Sequence, residues 1–492
     1  MALIRSISTV GGFTLLSRLA GFVRDIFFAA ILGAGPAADA FFVAFKFPNL
    51  FRRLFAEGAF AAAFVPTYSG LLISAGREAA RRFAEESLAV MLVSLFLFVA
   101  TIEILMPYVM VAIAPGFLSE PVKFAFAVEL ARITFPYLLF ISLVALMGAV
   151  LNAHDRFAAS AATPVILNLV LIAAILSWGQ FARSPAVALA WGVAAGGILQ
   201  FLWLGLALAR EGSGLALRWP RLTPEVRKLL RLMMPVAIGA GVYQINVVVD
   251  LIIGSLLPSG TISFLYYADR VAQLPLGVIG IAVATALLPL LSRQIRAGDE
   301  GGANDSQNRA LEFALLLTVP AALALIAAAG PIIAVLFGRG AFGPTAQEAT
   351  AWVLAAYALG LPAHVLVKVL ATGYFAREDT KTPVKIAAVA LAVNVVLNLI
   401  LMGPLAHVGI ALATSAAAWV NCLMLARGLR RRGRLAPDAA IRRRLPRIVM
   451  ASAVMAGAVA AAAAGGAPLF AAGDPVRAAA LAALVAAGVV IY

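Results

Sequence analysis

The sequence predicts an all-α polytopic membrane protein with about fourteen transmembrane helices. Of its 492 residues, 63% are hydrophobic and only 12% are charged, a composition foreign to soluble domains of this length. Apolar runs of about 20 residues, the length that crosses a bilayer, follow one another along almost the whole chain. A single cysteine, Cys422, and three scattered histidines give no disulfide framework and no metal-ligand spacing.

Fourteen apolar segments are long enough to span the hydrocarbon core. They are 7–32, 38–72, 87–114, 124–150, 160–178, 185–209, 226–256, 261–292, 310–337, 347–375, 383–403, 407–426, 448–466 and 475–492. Arg18, Arg24 and Asp25 interrupt the first segment, which argues against a cleavable signal peptide. Because the last segment ends on the final residue, we expect a C-terminus that is cut short or carries almost no tail.

The distribution of lysine and arginine among the loops predicts that both termini are cytoplasmic. In that orientation, the cytoplasmic segments hold 26 of the 38 basic residues, whereas the opposite loops hold only Lys123, Arg183, Arg339 and Arg477. This asymmetry is the positive-inside pattern. Loop topology and contact with anionic lipid headgroups therefore account for the net charge of +15, and we expect no nucleic-acid partner.

Two segments about 223 residues apart resemble each other, which indicates an internal repeat. The run ADAFFVAFKFPNLFRRLFAEGAFAAAFVPTYSGLL from Ala38 is echoed by SFLYYADRVAQLPLGVIGIAVATALLPLLSRQI from Ser263. A second echo pairs Asn168 with Asn394 or Asn398, each following a Thr-Pro dipeptide. Chance similarity between apolar helices is the alternative.

The repeat predicts two six-helix lobes followed by two appended helices. We place the N-terminal lobe at 1–215, the C-terminal lobe at 216–432 and the appended helices at 433–492. Parallel repeats with a site between them are a recurring plan of transporters.

Eight basic residues lie deep inside predicted spans, at least seven residues from either end, and five of these are in the first two spans. They are Arg18, Arg24, Lys46, Arg52, Arg53, Arg132, Arg270 and Lys368. A cation at the centre of a membrane helix costs roughly 2.5–3.5 kcal/mol, so it persists where it faces water, a counter-charge or an anionic ligand. Salt bridges such as Arg53 with Glu57 account for only part of the set, because the cations in the first two spans outnumber the acids. Arginine binds oxyanions bidentately, which favours a phosphate-bearing ligand.

The block SRLAGFVRD at 17–25, followed by GAGPAADAFFVAFKFPNLFRRLFAEGAFAAAFVPTY at 33–68, resembles the signature of the MurJ/MviN family. These are bacterial lipid II flippases of the multidrug/oligosaccharidyl-lipid/polysaccharide exporter superfamily. The resemblance implies functional roles for Ser17, Arg18, Arg24, Asp25, Asp39, Asn49, Arg52, Glu57, Ser263 and Arg270. With Arg53 from the cationic set, these are the candidate substrate-binding residues. One departure is Gln273, where relatives can carry an acid.

The resemblance further implies what the protein does. A flippase of this family moves lipid II, undecaprenyl pyrophosphate bearing a disaccharide–pentapeptide, from the cytoplasmic to the periplasmic leaflet of the inner membrane by alternating access. Arginines would line a central cavity, and the two appended helices would offer a groove for the lipid tail. We expect a monomer in contact with membrane lipids, with cell-wall synthesis proteins as candidate associates. No cofactor is expected. A coupling ion, Na⁺ or H⁺, has Asp250, Asn394 and Asn398 as its only candidate ligands, and ordinary hydrogen bonding between helices is the alternative role for them.

Three other functions are alternatives to a lipid II flippase. A flippase for a different lipid-linked oligosaccharide is the main alternative, because the headgroup cannot be read from these residues. A multidrug exporter of the same superfamily should have an acidic, aromatic-lined cavity, whereas the charges inside the predicted spans here are mainly basic. A membrane enzyme acting on polyprenyl phosphates should have paired carboxylates, a metal site or a phosphate-binding loop, and the sequence offers none of these.

Overall fold

A computed structural model of the chain describes residues 2–52, 59–470 and 473–492. The described residues are almost all helical and include no β-strand, so the predicted all-α class is confirmed. The chain divides into two compact units, Met1–Ser259 and Gly260–Tyr492.

The described residues of the first unit form ten α-helices. They are α1 (Ala2–Phe27), α2 (Pro36–Arg52), α3 (Ala59–Ser74), α4 (Gly76–Ile113), α5 (Pro121–Thr134), α6 (Tyr137–Ala153), α7 (Phe157–Leu176), α8 (Trp178–Phe181), α9 (Pro185–Arg210) and α10 (Pro224–Ser255). A π-helical turn, Phe28–Leu32, extends α1, and a 3₁₀ helix, Pro115–Ser119, precedes α5.

The described residues of the second unit form eight more. They are α11 (Thr261–Arg296), α12 (Glu300–Ala327), α13 (Ala329–Phe337), α14 (Pro344–Phe375), α15 (Lys381–Arg431), α16 (Ala439–Gly465), α17 (Ala467–Phe470) and α18 (Asp474–Ile491). Proline begins α2, α5, α9, α10 and α14, because the first helical position needs no N–H donor and favours the fixed φ of proline.

The helices follow the predicted spans closely. Among the described residues, nine helical segments are long and apolar enough to cross a membrane, and Ala63–Ser74 and Gln244–Ser255 are shorter apolar segments. The gap predicted between the spans 383–403 and 407–426 coincides with a break in α15 at Ala406, whose φ is 45°. The chain is a multi-pass membrane protein, and the count of fourteen stays a prediction.

Small residues allow the helices of the first unit to approach closely. Helix α7 packs between α1 and α9. A Cβ atom at Gly196 of α9 would lie 2.6 Å from the Cδ1 of Leu167, and one at Gly192 would lie 2.8 Å from the Cβ of Ala174. Glycine is therefore favoured at both positions, as at many contacts between membrane helices.

Helix α14 is the centre of the second unit and packs against α11, α12 and α15. The last two long helices, α16 and α18, pack against each other, and α16 also packs along α12. Helix α10 packs against α3 and α4 within the first unit. The packing units thus divide at 259–260, and the repeat-based boundaries after 215 and 432 stay predictions.

An ion pair fixes the connection between α14 and α15. Asp379 accepts a hydrogen bond from Arg432 at 2.6 Å, one from the Thr382 hydroxyl at 2.7 Å and one from the Thr382 backbone N–H at 3.0 Å. The guanidinium of Arg432, followed by the two Thr382 donors, lowers the pKa of Asp379 from its ordinary 3.8 to about 2.

Replacing Asp379 with asparagine should lower the stability of the protein slightly at neutral pH. The folded pKa is depressed, so the carboxylate stabilises the fold above pH 3.8 and loses that contribution as the pH falls towards 2. The pair is partly exposed, with 41% of the Arg432 side chain accessible, so we expect a loss of at most about 1 kcal/mol. Thermal unfolding in detergent should show a gap between wild type and Asp379→Asn at pH 7 that closes towards pH 2. Asp305→Asn, at an exposed position of α12, is the matched control, and a gap independent of pH would contradict this account.

Candidate functional site

Arg24, in the last turn of α1, is a buried cation inside a predicted span, and it is hydrogen-bonded to side chains of two residues. Its Nε and Nη2 donate to Oδ1 of Asp25 at 3.0 and 2.7 Å, and its Nη1 donates to Oδ1 of Asn168 at 2.8 Å. The guanidinium carbon lies 5.2 Å from the ring centre of Phe28 and 5.8 Å from that of Phe45. Arg24 is only 7% exposed and Asp25 only 2%, so their interaction is screened little by water.

Asn168 of α7 is the residue that sequence reasoning missed here. Its side-chain oxygen accepts from Arg24, and its Nδ2 donates to the backbone carbonyl of Ser17 at 3.0 Å. The amide therefore joins α7 to two positions of α1 that lie about two helical turns apart, and it fixes the direction of the guanidinium. The sequence offered one signal, a lone amide in an apolar span, and we used it only as a marker of the repeat.

Arg18 differs from Arg24 in its surroundings. It is exposed on α1 and makes no hydrogen bond or ion pair with any residue that the structure describes. Asp25 pairs with Arg24 instead. Arg18 and Arg24 thus offer one open guanidinium and one that is already oriented.

Helix α2 carries the next group of candidates at its two ends. Asp39 lies in its first turns and is 1% exposed, with Lys123 at 3.4 Å. Arg52 ends the helix, 13 residues later, which corresponds to about 20 Å of helix rise. Asn49 donates to the carbonyl of Phe45 at 2.9 Å. The structure therefore brings Ser17, Arg24 and Asp25 together and places Asp39 in another cluster.

Aromatic packing holds the last turn of α2. The ring of Phe51 lies 5.2 Å from Phe98 of α4 and 6.0 Å from Phe135, which follows α5. These contacts fix the backbone next to Arg52. Arg53 and Glu57, the predicted ion pair, lie outside the described residues.

In the second unit, the candidate residues lie in the first half of α11. Ser263 is fully buried. The guanidinium carbon of Arg270 lies 4.7 Å from the ring centre of Tyr266, a cation–π contact that orients its plane. Gln273 donates to Asp269 at 2.5 Å, so the residue that departs from the family pattern serves as a partner for an acid.

The candidate ion ligands are divided between the two units, with Asp250 in the first and Asn394 and Asn398 in the second. In the first unit, Asn246 donates to Asp250 at 3.4 Å. In the second, Asn398 donates to Oδ1 of Asn394 at 3.0 Å, and Asn394 donates to the hydroxyl of Thr414 at 3.4 Å. Sequence reasoning missed Thr414. The described part of the chain contains no cluster of three His, Cys, Asp or Glu residues able to hold a metal, and the coupling ion stays a prediction.

Comparison with known proteins identifies the family. A sequence model described as lipid II flippase MurJ matches residues 28–476. The chain belongs to the MurJ family. A probable lipid II flippase MurJ of Rhizobium meliloti (strain 1021) is 47% identical over 464 residues, which span 93% of this chain and 86% of that protein. The family predicted from the sequence is confirmed, and a member of it is a transporter and not an enzyme.

Solved structures agree with this MurJ assignment. A lipid II flippase MurJ in an inward closed conformation aligns with a TM-score of 0.81 and 26% identity, covering 98% of this chain and 97% of the other. An inward-facing multidrug resistance MATE transporter of the MOP superfamily aligns with a TM-score of 0.69 and 16% identity, covering 85% and 94%. The MATE likeness concerns the fold alone.

Proposed function

We propose that this protein transports lipid II from the cytoplasmic to the periplasmic leaflet of the bacterial cytoplasmic membrane by alternating access. Membership of the MurJ family supports lipid II as the substrate. In this proposal, Arg18, Arg24, Arg52 and Arg270 bind the pyrophosphate. The observation that carries the assignment is the buried Arg24, oriented by Asp25 and Asn168 and flanked by two phenylalanine rings.

The surroundings of Arg18 and Arg24 suit successive steps of binding. Arg18 is exposed and presents its guanidinium to an arriving phosphate. Arg24 is held in one orientation, so it loses little side-chain freedom when a phosphate oxygen replaces one of its present partners. Because its site excludes most water, each charge-assisted hydrogen bond formed there is strong.

The appended helices suit the role of a lipid-tail groove. A crevice of about 400 Å³ lies between the α12–α13 corner and the end of α16. Its lining consists of small apolar residues and one aromatic ring, including Ala327, Gly330, Ala463 and Phe470. A largely apolar surface of this kind is compatible with a hydrocarbon chain.

We place both termini in the cytoplasm because the basic loops then lie on that side. We also propose that the protein acts as a monomer. Cell-wall synthesis proteins are natural associates, since they produce and consume lipid II on the two sides of the membrane.

Reconstitution of the purified protein in liposomes tests the substrate directly. Lipid II added to one leaflet should reach the other, as measured by its accessibility to an impermeant reagent, whereas protein-free liposomes should show no transfer. Depletion in the host should make lipid II accumulate on the cytoplasmic side. Accumulation of a different lipid-linked glycan, with no transfer of lipid II in liposomes, would support the alternative flippase.

A further inference from the structure

Lys123, in the first turn of α5, is a buried lysine. It lies close to the start of α2 and the end of α10, within the first unit. It is only 5% exposed. Its Nζ lies 2.6 Å from Oγ of Ser259, 3.4 Å from Oδ2 of Asp39 and 3.5 Å from Oε1 of Glu120. The same atom lies 4.3 Å from the centre of the Phe117 ring. A lysine of this burial is rare unless paired, and here one ammonium group joins three parts of the chain.

Ser259 extends this network to a further segment, because it belongs to the connection that follows α10. Its hydroxyl also lies 3.0 Å from Oε1 of Glu120. The lysine therefore ties the segment after α10 to the first turns of α2 and α5. Asp39 was grouped with the arginines by family resemblance, and in the structure it is the counter-ion of Lys123.

A second contact docks the end of α10 at the same place. The backbone N–H of Gly116, in the 3₁₀ helix before α5, donates to Oγ of Ser255 at 3.2 Å. A Cβ atom at Gly116 would lie only 2.0 Å from the backbone oxygen of Ser255. Two backbones are in direct contact here, and only glycine permits it.

The two contacts differ in physical kind and act on the same segment. Lys123 attracts the connection after α10 through charge and hydrogen bonds, whereas Gly116 removes the steric barrier to the last turn of α10. A buried ion pair contributes little net stability after desolvation, and specifying one arrangement over another is a better-attested use of such pairs. The shortest contact of Lys123, to Ser259, involves the α10 segment, whereas those to Asp39 and Glu120 do not.

We propose that Lys123 is a positioning residue of the transport cycle and that, with Gly116, it forms a latch holding the end of α10 closed against α2 and α5. We call these two residues and their partners Asp39, Ser255 and Ser259 the α10 latch. The proposal rests on the proposed function, because alternating access requires helix ends at each membrane face to separate in turn. With the termini in the cytoplasm, the α10 latch lies at the periplasmic face and its opening belongs to substrate release.

A distance measurement within the first unit tests the α10 latch. Cysteines replace the exposed residues Phe181 of α8 and Leu256 at the end of α10, after Cys422→Ala, and carry spin labels for pulsed electron resonance. The full-length protein in lipid nanodiscs should give one dominant distance. In Lys123→Met and in Gly116→Ala, the fraction of molecules at a longer distance should be at least several-fold larger than in the wild type. The two variants should agree although one removes a charge and the other adds a methyl group.

Matched variants separate the α10 latch from general damage. Gly35→Ala is the control, because a Cβ there meets no atom within 4 Å, and it should leave the distance unchanged. Ser259→Ala removes the hydroxyl that contacts Lys123 at 2.6 Å and Glu120 at 3.0 Å but leaves the lysine in place. It should give a smaller shift even if Lys123→Met fails to fold. Lys123→Arg keeps the charge and should restore much of the wild-type distribution.

Lipid II transfer in liposomes completes the test. We expect roughly tenfold slower transfer with Lys123→Met and partial recovery with Lys123→Arg. Unchanged distances in Gly116→Ala and Ser259→Ala, alongside normal transfer by Lys123→Met, would overturn the α10 latch and leave the flippase function intact. A shifted distance in a protein whose wild type transfers no lipid II would instead overturn the proposed function and support the α10 latch.

Discussion

Replacing Arg24 with alanine is expected to abolish lipid II transport while leaving membrane insertion intact. The guanidinium makes three hydrogen bonds to Asp25 and Asn168, and in the proposed mechanism it transfers part of this capacity to the pyrophosphate. Truncating one partner of a buried, hydrogen-bonded charge pair costs about 2–5 kcal/mol, which is roughly thirtyfold to several thousandfold in binding or rate. The measurement is the initial rate of lipid II transfer in liposomes containing equal amounts of each protein.

Three further variants show whether the loss of transport in Arg24→Ala comes from the guanidinium itself. Arg24→Lys should keep partial activity, since the charge remains but the bidentate geometry does not. Asn168→Ala should lie between wild type and Arg24→Ala, because it removes one of the two orienting partners. Arg156→Ala is the matched control: that arginine pairs with Glu211 at 3.1 Å and is 62% exposed, so transport should be unaffected. Wild-type transfer by Arg24→Ala would refute the role of Arg24 in pyrophosphate binding.

The sequence predicted the helices well because each span depends on local information. Length and apolar composition locate a membrane helix without knowledge of its neighbours. Proline at a helix start and the break near Pro404 and Ala406 are likewise local signals. The importance of Arg24 followed from the same reasoning, since a cation in an apolar run needs a partner wherever the run is placed.

The partners of the charged residues could not be predicted in this way. Arg24 meets Asn168 across 144 residues, and Asp39 meets Lys123 across 84. Helical periodicity says which residues share a face of one helix, but it does not say which helix lies opposite. Lys123 was assigned to a loop on the predicted outer face, where an exposed lysine is ordinary, and its burial depends wholly on tertiary packing.

Transport should also depend strongly on membrane potential and be indifferent to ATP. In the proposed mechanism no nucleotide takes part, and the driving force comes from gradients or from consumption of the product outside. An anionic headgroup that moves outward travels towards the positive side of an energised membrane. Each charge gains about 2.3 kcal/mol per 100 mV, so a doubly charged pyrophosphate gains roughly twice that.

The charge that moves when the empty protein returns to its starting conformation determines how much of this electrical free energy drives transport. Arg18 and Arg24 carry positive charge on α1, and only Asp25 balances it there. If these arginines cross the field with the substrate, their charge cancels part of that of the pyrophosphate. If they stay in place while access alternates around them, nearly the whole gain is available to drive transport. A cation bound near Asp250 would shift this balance in the direction of its own movement.

Collapsing the potential distinguishes these cases. Valinomycin with equal potassium on both sides, at a fixed pH gradient, should slow lipid II transfer in energised liposomes by at least tenfold, whereas adding ATP should change nothing. Reversing the imposed potential should favour transfer in the opposite direction, which controls for an effect of the ionophore on the bilayer. A rate independent of the potential would mean that the arginines carry a compensating charge across the field. Transport would then be driven by an ion gradient or by consumption of lipid II at the periplasmic face.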